Sequence, residues 1–194
     1  MLDSTRLLSP AEIDQILVWL HHRRRRGPNY VLNRALFRLS CCYGLRCGEI
    51  CRLNVGDVFT RGAFAALVVG ESGGRQRRIV RIDWDASALA DIIAYKEARL
   101  ASLGTSPGDQ PFLAGVTTGK RLTEDLAGKR WRSVIKVVLG AERGKQLSIQ
   151  SGRRTFPSYA AAHGLTLAQI TKALGNNRVE TAALCLYAAQ KRAG

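Results

Sequence analysis

One interruption limits what this chain can fold into. Apolar residues recur at helical spacing along most of its length, and only the interval 64–82 switches to a strand-like pattern. Ser9-Pro10-Ala11-Glu12 is a capping box with proline at the first helical position, and Ile13, Ile16, Leu17 and Leu20 follow on one face. The pattern predicts a helix that runs to the 21–26 basic tract and stops at Gly27-Pro28. A second helix carries Val31, Leu32, Ala35, Leu36, Leu39 and Cys42 and is expected to end at Gly44. A short third helix spans 45–53. Phe64 to Val69 and Arg77 to Ile82 are β-prone, and Glu71-Ser72-Gly73-Gly74 between them is turn chemistry, so a hairpin is predicted. Asp85 and Thr123 can each cap a long helix, the second closed by Gly140, and 104–111 is the most evident linker. Ser151 to His163 forms a further helix, in which Pro157 is expected to cause a kink unless it falls in the first turns. Thr166 starts a short helix stopped by Gly175, and 179–191 reads as a last one. The expected fold is mainly α with one small antiparallel hairpin or sheet, an α+β arrangement in a single domain over 1–194.

Composition narrows the function. At 194 residues with 46% apolar and 23% charged residues, the chain is globular in character and has no apolar run of membrane-spanning length. No basic flank followed by an apolar segment opens it, so no secretory signal is expected. Cys41, Cys42, Cys47 and Cys51 crowd together, unlike the spaced cysteines of a disulfide scaffold, and read as reduced thiols of a cytoplasmic protein. They also lack the C-x-x-C spacing of a zinc site, and their apolar neighbours favour buried packing, so no metal is expected. Thirty Lys and Arg against fifteen Asp and Glu leave a net charge of +15, rich in arginine. Such a surface attracts a polyanion, and the guanidinium fork suits phosphate, so nucleic acid is the first partner to consider.

Gly44-Leu45-Arg46-Cys47-Gly48-Glu49-Ile50-Cys51-Arg52-Leu53, with Asp57-Val58 behind it, resembles the first signature box of the tyrosine recombinases, or phage integrases. Leu147 to Phe156, containing Gln150, Gly152, Arg153 and Arg154, resembles the second box. Ala173-Leu174-Gly175-Asn176-Asn177-Arg178-Val179 resembles the family's L-G-H motif, and Tyr187 follows. The resemblance spans residues from about 8 to 190 and implies the catalytic-domain fold of that family, with 179–194 as a C-terminal helix or tail. The core-binding domain that usually precedes it is expected to be absent. The implied chemistry is DNA strand cleavage and rejoining through a phosphotyrosyl intermediate, without metal or nucleotide cofactor. The partners implied are double-stranded DNA and a homotetramer assembled on it, in the cytoplasm on the nucleoid. By motif position, Arg46 and Arg153 would stabilise the pentacoordinate phosphorus, Glu49 would hold Arg46, and Tyr187 would attack. Arg75, Arg77, Arg154 and Arg178 are candidate DNA contacts.

The sequence departs from the family's pattern at several of these positions. The hairpin turn lacks the usual lysine; Arg75 or Arg77 could reach in, but a guanidinium is a poor proton donor. Gln150 and Asn176 stand where the family has histidines; both can still hydrogen-bond a phosphate oxygen. The family's spacing from the third motif to its tyrosine lands on Cys185, and Tyr187 comes two residues later, about 200° round a helix. Cys185 beside Ala and Leu reads as packing, and both positions stay open as nucleophile. A second reading is therefore a degenerate, DNA-binding pseudo-recombinase with a structural or regulatory role. An RNA-binding helical module rests on charge alone. Trp131 lies at helical spacing with Val134 and Ile135, which favours core over stacking on bases. His21, His22 and His163 read as helix-end residues.

Overall fold

The computed structural model describes residues 4–23, 27–62, 64–70, 77–103, 108–175, 183 and 186. Its helices are α1 (Pro10–His22), α2 (Pro28–Phe37), α3 (Cys47–Arg52), α4 (Ala86–Ser102), α5 (Glu124–Leu139), α6 (Ala141–Gln146), α7 (Ile149–Ala162) and α8 (Leu167–Leu174). Strands β1 (Val58–Phe59), β2 (Ala66–Val69) and β3 (Arg78–Arg81) form one antiparallel sheet in the order β1-β2-β3. The expected hairpin is thus the β2–β3 pair, in the register Leu67↔Val80 and Val69↔Arg78, and β1 adds a third strand that two residues are too few to announce.

Local signals decide the helix starts. Ser9 and Glu12 complete a reciprocal capping box, and the side chains of Asp85, Thr123 and Thr166 each accept from the backbone three residues on. Gly140 closes α5, and Gly175 ends α8 in the left-handed conformation. The second-box helix begins earlier than its sequence suggests, at Ile149 behind Ser148, and runs on through Pro157 at a buried interior position. The short α6 between Gly140 and Leu147 was not evident from periodicity, because six residues hold too little of a helical stripe.

Beyond Phe37 the α-helical bonding gives way. Residues Arg38–Cys42 form a π turn in which the Tyr43 amide donates to the Arg38 carbonyl at 3.1 Å. The second helix expected to continue to Cys42 therefore changes its bonding five residues early. The π turn packs on α7, and the packing depends on Gly152: a Cβ there would stand 2.8 Å from Cys41 Sγ and 2.9 Å from Ser40 Oγ. Ser40 in turn accepts from the indole N–H of Trp131 at 3.1 Å, and Trp131 stacks on Phe37. Trp131 is a core residue, as its spacing predicts.

The main core gathers apolar faces from α1 to α5, the sheet's inner face and the start of α7. Inside it lies a charged cluster. Arg38 donates to Asp91 at 2.8 Å, to Ser87 at 3.1 Å and to the Tyr159 hydroxyl at 3.3 Å. Tyr159 donates to Asp85, whose other oxygen caps α4. Asp85 is held below the usual carboxylate range: burial opposes its charge, but Tyr159, the Ala88 amide, Ser87 and Arg38 outweigh that. No helix of the described residues is long and apolar enough to cross a membrane.

Candidate active site

The first-box residues sit where the chain leaves the π turn. Gly44 adopts φ of 66°, and a Cβ built on it would lie 2.6 Å from Cδ1 of Phe156 on α7. Both facts require glycine, because an L side chain is strained there and Phe156 fills the space. Past this bend Arg46 takes the position before α3, in extended backbone, and Glu49 lies one turn on. The Glu49 carboxylate accepts from the Arg46 amide at 2.8 Å and from its guanidinium at 2.9 Å.

The second box delivers Arg153 to the same place. Gly152 brings α7 against the π turn, and the next residue reaches across to the Gly44 carbonyl. Its other terminal nitrogen donates to the Leu174 carbonyl at 2.8 Å, in the last turn of α8. Arg153 also stands 3.7 Å from Glu49 Oε2. Arg46 and Arg153 thus converge on opposite oxygens of one carboxylate. The Arg153 residue is 8% exposed, while 22% of the Arg46 side chain meets solvent.

A third arginine completes the cluster, one that sequence reasoning did not single out. Arg78 on β3 grips both oxygens of Glu49, at 2.8 and 3.0 Å, and its Nε donates to the Ala173 carbonyl at 3.0 Å. Glu49 is pulled two ways. Burial raises its pKa, but Arg78, the Arg46 amide and the Arg153 charge together lower it to about 2. Among the described residues, three guanidinium groups face this one ionised carboxylate, and the guanidinium fork suits a phosphodiester.

Of the remaining candidates, Gln150 and Arg154 lie exposed on α7, within one helical turn of Arg153. Arg77 is exposed at the entry to β3. Asn176, Arg178, Cys185, Tyr187 and Arg75 lie outside the described residues. Cys47 and Cys51, on either side of Glu49, are buried, as are Cys41 and Cys42 in the π turn. His21 and His22 end α1 exposed, and His163 caps α7 with its ring 4.3 Å from that of Tyr159. The signal that could have revealed Arg78 is strand alternation: Val80 faces the core, and Arg78, two residues back, shares that face.

No family model matches the chain. In sequence it is 28% identical over 196 residues to the tyrosine recombinase XerD of Neisseria meningitidis serogroup A, covering 95% of this chain and 64% of that protein. It is 26% identical over 180 residues to a tyrosine recombinase of Pseudothermotoga lettingae, covering 93% of this chain and 55% of the relative. The chain therefore spans less than two thirds of the length of these curated relatives. In structure it resembles the XerH site-specific recombinase in a post-cleavage complex with its palindromic difH substrate (TM-score 0.74, 16% identity, 98% of this chain and 52% of that one). It resembles XerA recombinase (TM-score 0.69, 19% identity, 96% and 61%) and the Tn1549 transposon integrase bound to transposon right end DNA (TM-score 0.69, 15% identity, 99% and 66%). The chain has the tyrosine-recombinase catalytic-domain fold, mainly helical with a small antiparallel sheet, and its sequence is similar to that family.

Proposed function

We propose that this chain is the catalytic part of a site-specific DNA recombinase. The observation that carries the reading is the convergence of Arg46 and Arg153, more than a hundred residues apart in sequence, on one buried carboxylate. Such a pair can hold the two non-bridging oxygens of a backbone phosphate and strengthen its grip as charge builds on the phosphorane. Tyr187 attacks phosphorus, a phenolic oxygen–phosphorus bond forms and the bond to O5′ breaks. The tyrosine gives up one proton and O5′ gains one, so the step needs no redox partner. Attack by a 5′ hydroxyl of another strand reverses the chemistry and rejoins the DNA. Gln150 and Asn176 serve as hydrogen-bond donors to the phosphate, and Arg75, Arg77, Arg154 and Arg178 contact the flanking backbone. The active assembly is a tetramer on two duplexes, working on the nucleoid in the cytoplasm.

The test begins with duplexes selected by binding from a random pool, rebuilt with a nick beside the candidate scissile phosphate. A covalent protein–DNA adduct that disappears in Tyr187→Phe supports the reading. An adduct that survives Tyr187→Phe but is lost in Cys185→Ala moves the nucleophile to the cysteine. No adduct, with tight duplex binding, leaves the pseudo-recombinase, which the glutamine and asparagine in place of both histidines favour. Duplex affinity is expected to fall steeply between 50 and 200 mM salt, on the order of 10³-fold if about six phosphates are engaged. A flat salt response would remove DNA as the partner.

A further inference from the structure

We propose that Arg78 is a positioning residue for the phosphate pocket: by gripping both oxygens of Glu49 and the carbonyl of Ala173, it orients the carboxylate for Arg46 and keeps Arg153 from collapsing onto it. The proposal rests on the recombinase reading above and deepens it.

The geometry sets out the division of labour. A carboxylate offers about four acceptor sites, and the Arg78 fork engages both Glu49 oxygens at once. Two more are taken by the amide and guanidinium of Arg46. Arg153, 3.7 Å away, is beyond hydrogen-bond length from that carboxylate and turns its terminal nitrogens to the Gly44 and Leu174 carbonyls. Without Arg78 the buried carboxylate would lack its strongest partner, and Arg153 is the nearest cation able to replace it. The arginine that should meet the phosphate would then be spent on Glu49.

Arg78 also joins two parts of the site. Its Nε holds the Ala173 carbonyl, and Arg153 holds the neighbouring Leu174 carbonyl, so the end of α8 is tied both to β3 and to α7. The third motif leaves α8 at this point. One side chain therefore links the carboxylate that orients Arg46 to the segment leading toward Asn176 and Tyr187.

The test uses the full chain with Arg78→Gln and Arg78→Lys. On a nicked duplex, R78Q is expected to form adduct about 10²-fold more slowly than wild type. Its duplex affinity should change less than about tenfold, since one cation among thirty is lost. R78K keeps the charge but not the fork, and should recover only a small part of the rate. The charged groups facing Glu49 among the described residues are Arg46 on α3, Arg78 on β3 and Arg153 on α7. In R78Q the burial of Glu49 persists while one of its three cations is gone, so its adduct rate should begin to fall at a higher pH than that of wild type. Carboxyl-carbon NMR of labelled protein reads the same change without activity: the Glu49 midpoint, near 2 in wild type, should move up in R78Q. A wild-type rate, pH profile and Glu49 midpoint in R78Q would overturn the proposal. If wild type itself makes no adduct, the recombinase reading fails, and the NMR midpoint alone decides whether Arg78 holds Glu49. If R78Q does not fold, R78K carries both readouts.

Discussion

Replacing Glu49 by glutamine tests whether the arginine cluster is held by charge. Glu49 is buried, and its pKa falls from 4.5 to about 2 despite that burial, because Arg78, Arg46 and Arg153 surround it. A carboxyl lowered by that amount contributes about 3 kcal/mol to folding at neutral pH, as an upper bound. The sign is fixed: the folded-state pKa is depressed, so the contribution is complete above 4.5 and is lost as pH falls toward 2. Glutamine keeps the shape but cannot carry the charge, and it leaves the guanidinium groups facing one another. Urea unfolding of Glu49→Gln and wild type should therefore differ by about 3 kcal/mol at pH 7 and by about 1 kcal/mol at pH 3. The narrowing comes from the wild type, whose stability declines over that range while the variant lacks this component. A difference that stays constant from pH 7 to pH 3 would refute the electrostatic account and make Glu49 a packing residue.

Other perturbations separate the roles of neighbouring groups. Gly44→Ala combines a left-handed backbone with a Cβ 2.6 Å from Phe156, so it should cost about 2–4 kcal/mol and lower the melting temperature by about 5–15 °C. A melting temperature within a degree of wild type would show that Phe156 yields freely. Arg46→Ala should slow adduct formation by about 10²-fold or more while duplex affinity falls only a few-fold, read by single-turnover cleavage and a binding isotherm. If affinity alone collapses, Arg46 is an anchor for DNA and no more. Arg38→Ala leaves Asp91 with the charge of Arg34 alone and withdraws a donor from Tyr159, so it should cost about 3–5 kcal/mol in chemical denaturation. A loss under 1 kcal/mol would mean that the cluster rearranges around the gap.

The helix starts at Ser9, Asp85, Thr123 and Thr166 and the stops at Gly140 and Gly175 could be read from the chain, because each depends on bonds between residues three or four apart. The pairing of Arg46 with Glu49 is legible for the same reason, at one helical turn. Arg153 was legible only through its motif, because its carbonyl partners lie 109 and 21 residues away. Arg78 shows the limit most clearly. It stands beside Arg77 in a run of like residues, and a one-residue change of strand register would exchange the two faces. Only the pairing of Leu67 with Val80, set by core packing, turns Arg78 toward Glu49 and leaves Arg77 exposed. The π turn is decided at the same level, where Gly152 admits Ser40 and Cys41 against α7. Sequence determined which short-range bonds could form, and tertiary packing decided which of many arginines would meet at one carboxylate, because a guanidinium's partner depends on distance in space and not along the chain.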